Sequence, residues 1–189
     1  MKIMLGVALA LGLVGISLTL AQPPQGEQVA PSNAAVPPRA SRAPEVIARS
    51  VPIDLAVQAA KVANTCAGSH AGVVVLDQMG VSKLYYLADS TPGTHGTAAF
   101  RKASTALLIN GPSEGLRNRI AADPAIADKV IADQDSSGKN KTYVSQTGGL
   151  PIVVKGEVIG AIGVSGGQPI AKDKECATAA LEAIQSQLK

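Results

Sequence analysis

The chain holds no tryptophan, one phenylalanine and three tyrosines among 189 residues. Nucleic acid is gripped by aromatic platforms beside a basic groove, and neither is in evidence: the net charge is only +3 and no basic run occurs. Nucleic acid is therefore excluded as a partner. The scarcity of aromatics also means that the core must be built from Ala, Val, Ile and Leu, small side chains that let elements pack closely, often against copies of the same chain. Cysteine is equally scarce. Cys66 and Cys176 alone cannot form a CxxC pair or a cysteine-rich zinc site, and there is no CxxCH for covalent haem. With two histidines, His70 and His95, no Ser-His-Asp order places either beside an activated serine. Asp133 and Asp135 flank the polar loop Ser136–Lys141 and read as solvated rather than as a paired-carboxylate site.

What is present first is a long uncharged N-terminal run. Lys2 precedes residues 3–20, which carry no charge, and Thr19-Leu20-Ala21 supplies small residues for a signal peptidase. Residues 1–21 read as a cleaved signal peptide, diluted by glycines and polar residues against use as a permanent anchor. After cleavage no integral membrane association is expected, and the location is periplasmic or secreted. Residues 22–44 contain six prolines and too little apolar surface to offset ordering entropy, so they read as a linker. Residues 45–189 are the size of one domain. In an exported protein Cys66 and Cys176 are expected to pair; the alternative is two buried thiols acting as small hydrophobes.

Along that domain, Pro52–Cys66 has helical spacing, with Leu55, Ala59, Val62 and Cys66 on one stripe. Val73–Leu76 and Val81–Leu87 form a hairpin across a tight connection in which Asp77 is turn-forming. Ser90–Thr94 prepares a helix N-terminus, and the helix runs on through Ala98–Ile109. Ser113 is expected to cap a short helix to Ala121, and Asp123-Pro124 to start another to Ala132. Leu150–Val154 and Val158–Val164 make a second hairpin, and Ile170–Leu188 a last helix. Strands apolar on both faces need helices on both sides, which gives a three-layer α+β domain.

The stretch Glu157–Gly167, EVIGAIGVSGG, has four glycines but neither the GxGxxG spacing nor the lysine of a P-loop. Strand alternation puts Val158, Ile162 and Val164 on one face and Ile159, Ala161, Gly163 and Ser165 on the other. Glycines there signal close approach of a helix or of a ligand. His95 and Lys102 are seven residues apart on one helical stripe, about 10 Å along the axis, and neutral imidazole is the form that ligates metal. Arg101 and Lys102 could then meet carboxylates such as haem propionates. The competing reading is an exposed histidine at a helix start. His70 sits in a turn and reads as solvated.

These stretches resemble the GlcG/HbpS-like haem-binding family, which includes the C-terminal domain of a corrinoid adenosyltransferase. The resemblance is carried by Val73–Gly80 (an apolar run ending D-x-x-G), Thr94-His95 followed by Phe100–Ala106, Gly148–Ile152 (GG-x-P), Val158–Gly166, and Asp173 with Cys176-Ala177. It spans nearly all of residues 52–188. The sequence departs from the family pattern at Ser104, where an aromatic is frequent, and at Asp173-Lys174-Glu175, where an acidic pair is interrupted. The resemblance implies a profilin-like domain with a five-stranded antiparallel sheet between helical layers, homo-oligomers, and a haem or other tetrapyrrole ligand. It implies His95 as metal ligand and Lys102, Thr105 and Arg101 as further cofactor contacts. An enzyme acting on a small metabolite or on haem, and an oligomeric scaffold without ligand, are the alternatives; no catalytic residue is assigned.

Overall fold

The computed structural model describes residues 49–188; the expected signal peptide and linker lie outside the described residues. In chain order the elements are α1 (Ile53–Cys66), β1 (Gly72–Asp77), β2 (Ser82–Leu87), α2 (Gly93–Ile109), a 3-10 turn (Ser113–Gly115), α3 (Leu116–Ala122), α4 (Pro124–Ala132), β3 (Gly149–Val154), β4 (Glu157–Ser165) and α5 (Lys172–Gln185).

Local chemistry fixes several boundaries. Asp77 closes the β1–β2 turn, its Oδ1 accepting from the Met79 and Val81 N–H groups, both at 2.9 Å. Asp123 caps α4 by accepting from Ala125 N–H at 3.0 Å, with Pro124 in the first turn. Ser113 does not cap a helix as expected. Its buried hydroxyl donates to the Gln146 carbonyl and accepts from Gly149 N–H, so it holds the entry to β3.

The strands form one antiparallel sheet in the order β2-β1-β4-β3. The sheet has four strands, not the five that the resemblance implies. Between α4 and β3 the chain makes only an isolated bridge, Gln134 to Asn140. Side chains of Arg101, Thr105 and Ser113 bind its backbone instead of a further strand.

Helices cover both faces, as the apolar central strands require. Val74, Leu76 and Ala161 pack against Ala99, Ala103 and Ala106 of α2. Val73, Val75, Ile162 and Val164 face α1 and α5, which meet through Ala56, Ala59, Ala60 and Ala63 on one side and Ala177, Ala180 and Ile184 on the other. The buried stripe of α1 is thus rotated from the expected one, for Val62 and Cys66 are only half-buried. The β3–β4 register shifts between Ile152 and Val153, with Ile152 opposite Gly160 and Val153 opposite Val158. Ile159 is the extra residue of this bulge. It joins the α1/α5 core, while Val158 lines a cleft with Leu107 of α2. Strict alternation assigned these two residues to the opposite faces.

Cys66, ending α1, is disulfide-bonded to Cys176 in α5, with Cα atoms 5.4 Å apart. None of the described helices is long and apolar enough to cross a membrane.

Candidate functional site

The site is organised by how closely α2 lies on the sheet. A Cβ at Gly163 would strike the Ala99 carbonyl oxygen and come within 2.8 Å of Ala103 N; one at Gly72 would sit 2.6 Å from Gly96 N. Gly72 of β1 and Gly163 of β4 are therefore where the helix backbone seats directly on the strands. The glycines of EVIGAIGVSGG are each crowded by the chain itself, Gly163 by α2, Gly160 by the Leu76 carbonyl of β1, Gly166 by the His70 carbonyl and Gly167 by Asp173, without a ligand.

This seating puts the first turn of α2 at the end of the sheet where β4 finishes. His95 is half-buried there. Its Nδ1 lies 3.4 Å from Ser165 Oγ, at the long limit of a hydrogen bond. If Nδ1 carries the proton and donates to Ser165, Nε2 keeps its lone pair for a metal, the usual second-contact arrangement for a ligating histidine. Tyr85 of β2 reaches the same turn: a Cβ at Gly96 would collide with its hydroxyl and ring. Tyr85 is 52% exposed. Neither the contact of Ser165 with His95 nor the approach of Tyr85 to Gly96 was anticipated. The alternation of Ser-Lys-Leu-Tyr-Tyr-Leu in β2 does put Tyr85 on the α2 face, opposite Val74.

The other candidate residues do not converge on His95. Lys102 shares its helical stripe but points into the protein and is 1% exposed. Its Nζ donates to Asp173 Oδ2 at 2.6 Å and to the Val164 carbonyl at 3.0 Å, and Asp173 Oδ1 accepts from Gly167 N–H at 2.7 Å. This buried ion pair joins α2, the end of β4 and the first turn of α5. Thr105 is fully buried, its hydroxyl donating to the Arg101 carbonyl and accepting from Val144 N–H. Arg101 turns toward the loop before β3, where Nη2 donates to the carbonyls of Asn140 at 2.7 Å and Tyr143 at 3.1 Å. His70 is exposed. No triad is assembled: among the described residues His95 contacts a hydroxyl and no carboxylate, and no cluster of three His, Cys, Asp or Glu side chains could hold a bare metal ion.

Two clefts lie on the outer side of α2. One, of about 270 Å³, is bordered by Leu76, Met79, Phe100, Ser104, Leu107 and Tyr143; His95 is not part of it. The other, of about 370 Å³, lies between α2, α3 and the loop before β3. In that loop burial would raise the Asp133 pKa, but the N–H groups of Thr142 and Tyr143 that Asp133 accepts outweigh it and bring the value below normal. Asp135 is lowered by the Ser137 hydroxyl and by the N–H groups of Lys139 and Ser137. Tyr143 is raised by burial and by the charge of Asp133.

The family profile described as "Haem degrading protein HbpS-like" matches residues 52–182. The chain belongs to the HbpS-like family. Among solved structures, this HbpS-like chain is similar to a double mutant of Streptomyces reticuli HbpS, with 27% identity, 79% of this chain and 98% of the other covered, and a TM-score of 0.60. A Klebsiella pneumoniae protein named ORFY matches with 19% identity over 78% and 99% of the two chains, at a TM-score of 0.60. A haem complex of PduOC matches with 21% identity over 71% and 95%, at 0.58. At such identities the last two show the fold alone. No curated protein matches the chain.

Proposed function

We propose that the protein is an exported haem- or tetrapyrrole-binding module in which His95 ligates the iron. The observation that carries the reading is a half-buried imidazole whose Nδ1 faces Ser165. Nε2 makes no hydrogen bond among the described residues, and the half-exposed Tyr85 lies against the next residue, Gly96. Membership of a family described by haem degradation supports the ligand class, as does likeness to the fold of a haem complex. The donor chemistry fits: an imidazole with one nitrogen engaged is an axial-ligand arrangement. Iron bound there would supply the redox and ligand-exchange chemistry. The chain itself contributes orientation of the ring by Ser165 and a flat aromatic contact from Tyr85. Lys102 and Thr105 act behind the site, by fixing α2. Export is supported by the signal-like residues 1–21 and fits the disulfide.

Self-association is part of the same reading. Strand β2 is a sheet edge, and Met79, Val81, Tyr85 and Leu87 on or beside it are each more than a third exposed. A second copy covering this edge would also enclose the surface around His95.

The test is titration of the purified protein with haemin, following the Soret band, with light scattering of the same samples. The wild type is expected to shift the band, to hold it without bleaching unless it also degrades haem, and to scatter as an oligomer. His95→Ala is expected to lose the ligand-specific shift. A wild type without a shift ends the haem reading, an unchanged shift in His95→Ala removes His95 as ligand, and a monomer at all concentrations removes self-association.

A further inference from the structure

The cleft of about 370 Å³ between α2, α3 and the loop before β3 is bounded by three cations, Arg101, Arg117 and Lys139, over an apolar floor that includes Leu116, Ile120 and Tyr143. No carboxylate borders it. Among the described residues none of the three cations makes a salt bridge. Arg101 is the most constrained. Its Nη2 is spent on two backbone carbonyls, and its Nε is buried without a partner. Its positive charge is thus held in place, partly out of water, with no counterion. Two carboxylates act on the cleft from outside its lining: Asp135, which accepts from Ser137 and Lys139 N–H, feels the charge of Lys139, and Asp133, which accepts from Thr142 and Tyr143 N–H, is felt by Tyr143, so three cations face two carboxylates held away from the opening. Tyr143, whose pKa is raised by burial and by Asp133, adds no negative charge near neutral pH.

We propose that this cleft binds a small organic anion, a carboxylate or phosphate monoester carried on a flat apolar body. Cations that outnumber the nearby carboxylates and make no salt bridge focus a field that concentrates anions, and guanidinium groups match the planar geometry of carboxylate and phosphate oxygens. The volume is in the range of small-molecule sites, which pair a mostly apolar lining with a few convergent polar groups. Leu116 and Ile120, one helical turn apart on α3, give the apolar body a surface. The site is separate from His95: Arg101 lies six residues further along α2, about 9 Å along the axis and a third of a turn round it.

The experiment is calorimetric titration of the full chain at low salt with phenyl phosphate, benzoate and, as an uncharged control, phenol. Arg117→Gln and Lys139→Gln each remove one cation from the cleft. Arg119→Gln removes one from the same helix but outside the cleft, where Arg119 pairs with Asp123. Saturable one-site binding is expected for at least one of the two anions and not for phenol, weakened about fivefold or more by Arg117→Gln and by Lys139→Gln and less than about twofold by Arg119→Gln. Tighter binding of phenyl phosphate than benzoate assigns a phosphate ester, and the reverse a carboxylate. Absence of saturable binding for both anions overturns the proposal, as does phenol binding equally well or Arg119→Gln weakening binding as much as Arg117→Gln.

Discussion

At the scale of single residues, Lys102 shows how far a side chain's chemistry can differ from its position in the sequence. Seven residues after His95, it was legible as sharing a stripe with the imidazole. Whether that stripe faced a ligand or the interior depended on Asp173, 71 residues later, and on the Val164 carbonyl. Removing one partner of a buried pair leaves the other charge uncompensated, which costs about 3–5 kcal/mol. Lys102→Met is therefore expected to lower the unfolding free energy by an amount in that range, read in urea as a lower midpoint with little change in slope. Lys102→Met combined with Asp173→Asn is expected to recover much of the loss, because the amide keeps an acceptor for Gly167 N–H. A stable Lys102→Met single variant would mean that the pair does not hold α2 to α5. His95 itself was readable, as a helix-start histidine in a family motif. Ser165 beside it and Tyr85 against Gly96 were not, because both come to that turn across strand pairings.

Elements follow more directly from the sequence. The helices and both hairpins lie where apolar spacing and turn residues put them, since periodicity is a local property. The departures are places where tertiary contact overrides it. The bulge at Ile159 reverses two side chains, and the polar loop before β3 takes its hydrogen bonds from Arg101 and Thr105 rather than from a fifth strand. The contact of α2 with β4 is the element-level feature with the sharpest consequence. Gly163→Ala puts a methyl group into the Ala99 carbonyl, an overpacking expected to cost about 1–3 kcal/mol. Gly93→Ala, at the open start of the same helix with nothing within 4 Å, is expected to change stability by less than about 1 kcal/mol. Thermal unfolding of the two variants side by side makes the comparison. Equal midpoints would mean that α2 does not seat on the glycines.

At the scale of the described molecule, three layers are built mainly from alanine and valine, and one covalent link lies within the layer of α1 and α5. The disulfide closes a sequence separation of 110 residues, for which chain entropy allows a stabilisation of at most about 4–5 kcal/mol. Non-reduced peptide mapping is expected to show Cys66 linked to Cys176, and reduction to lower the unfolding midpoint. Two freely alkylatable thiols in the unreduced protein would remove the link. Both cysteines were readable as a pair, but only as one of two outcomes, because pairing depends on where α1 ends against α5.

The first turn of α5 carries both Asp173 and Cys176, and so it is pinned twice: by charge to α2 on one side of the sheet and by sulfur to α1 on the other. It works as a rivet through all three layers, so sliding of the helical layers past one another at that corner is blocked. The flank of α3, α4 and the loop before β3 is held differently, by hydrogen bonds from α2 and Ser113 and by the small apolar cluster of Ile109, Leu116, Ile126 and Val130, and this is the flank that carries the cationic cleft. A guest bound in that cleft would leave the ion pair and the disulfide of the riveted corner intact.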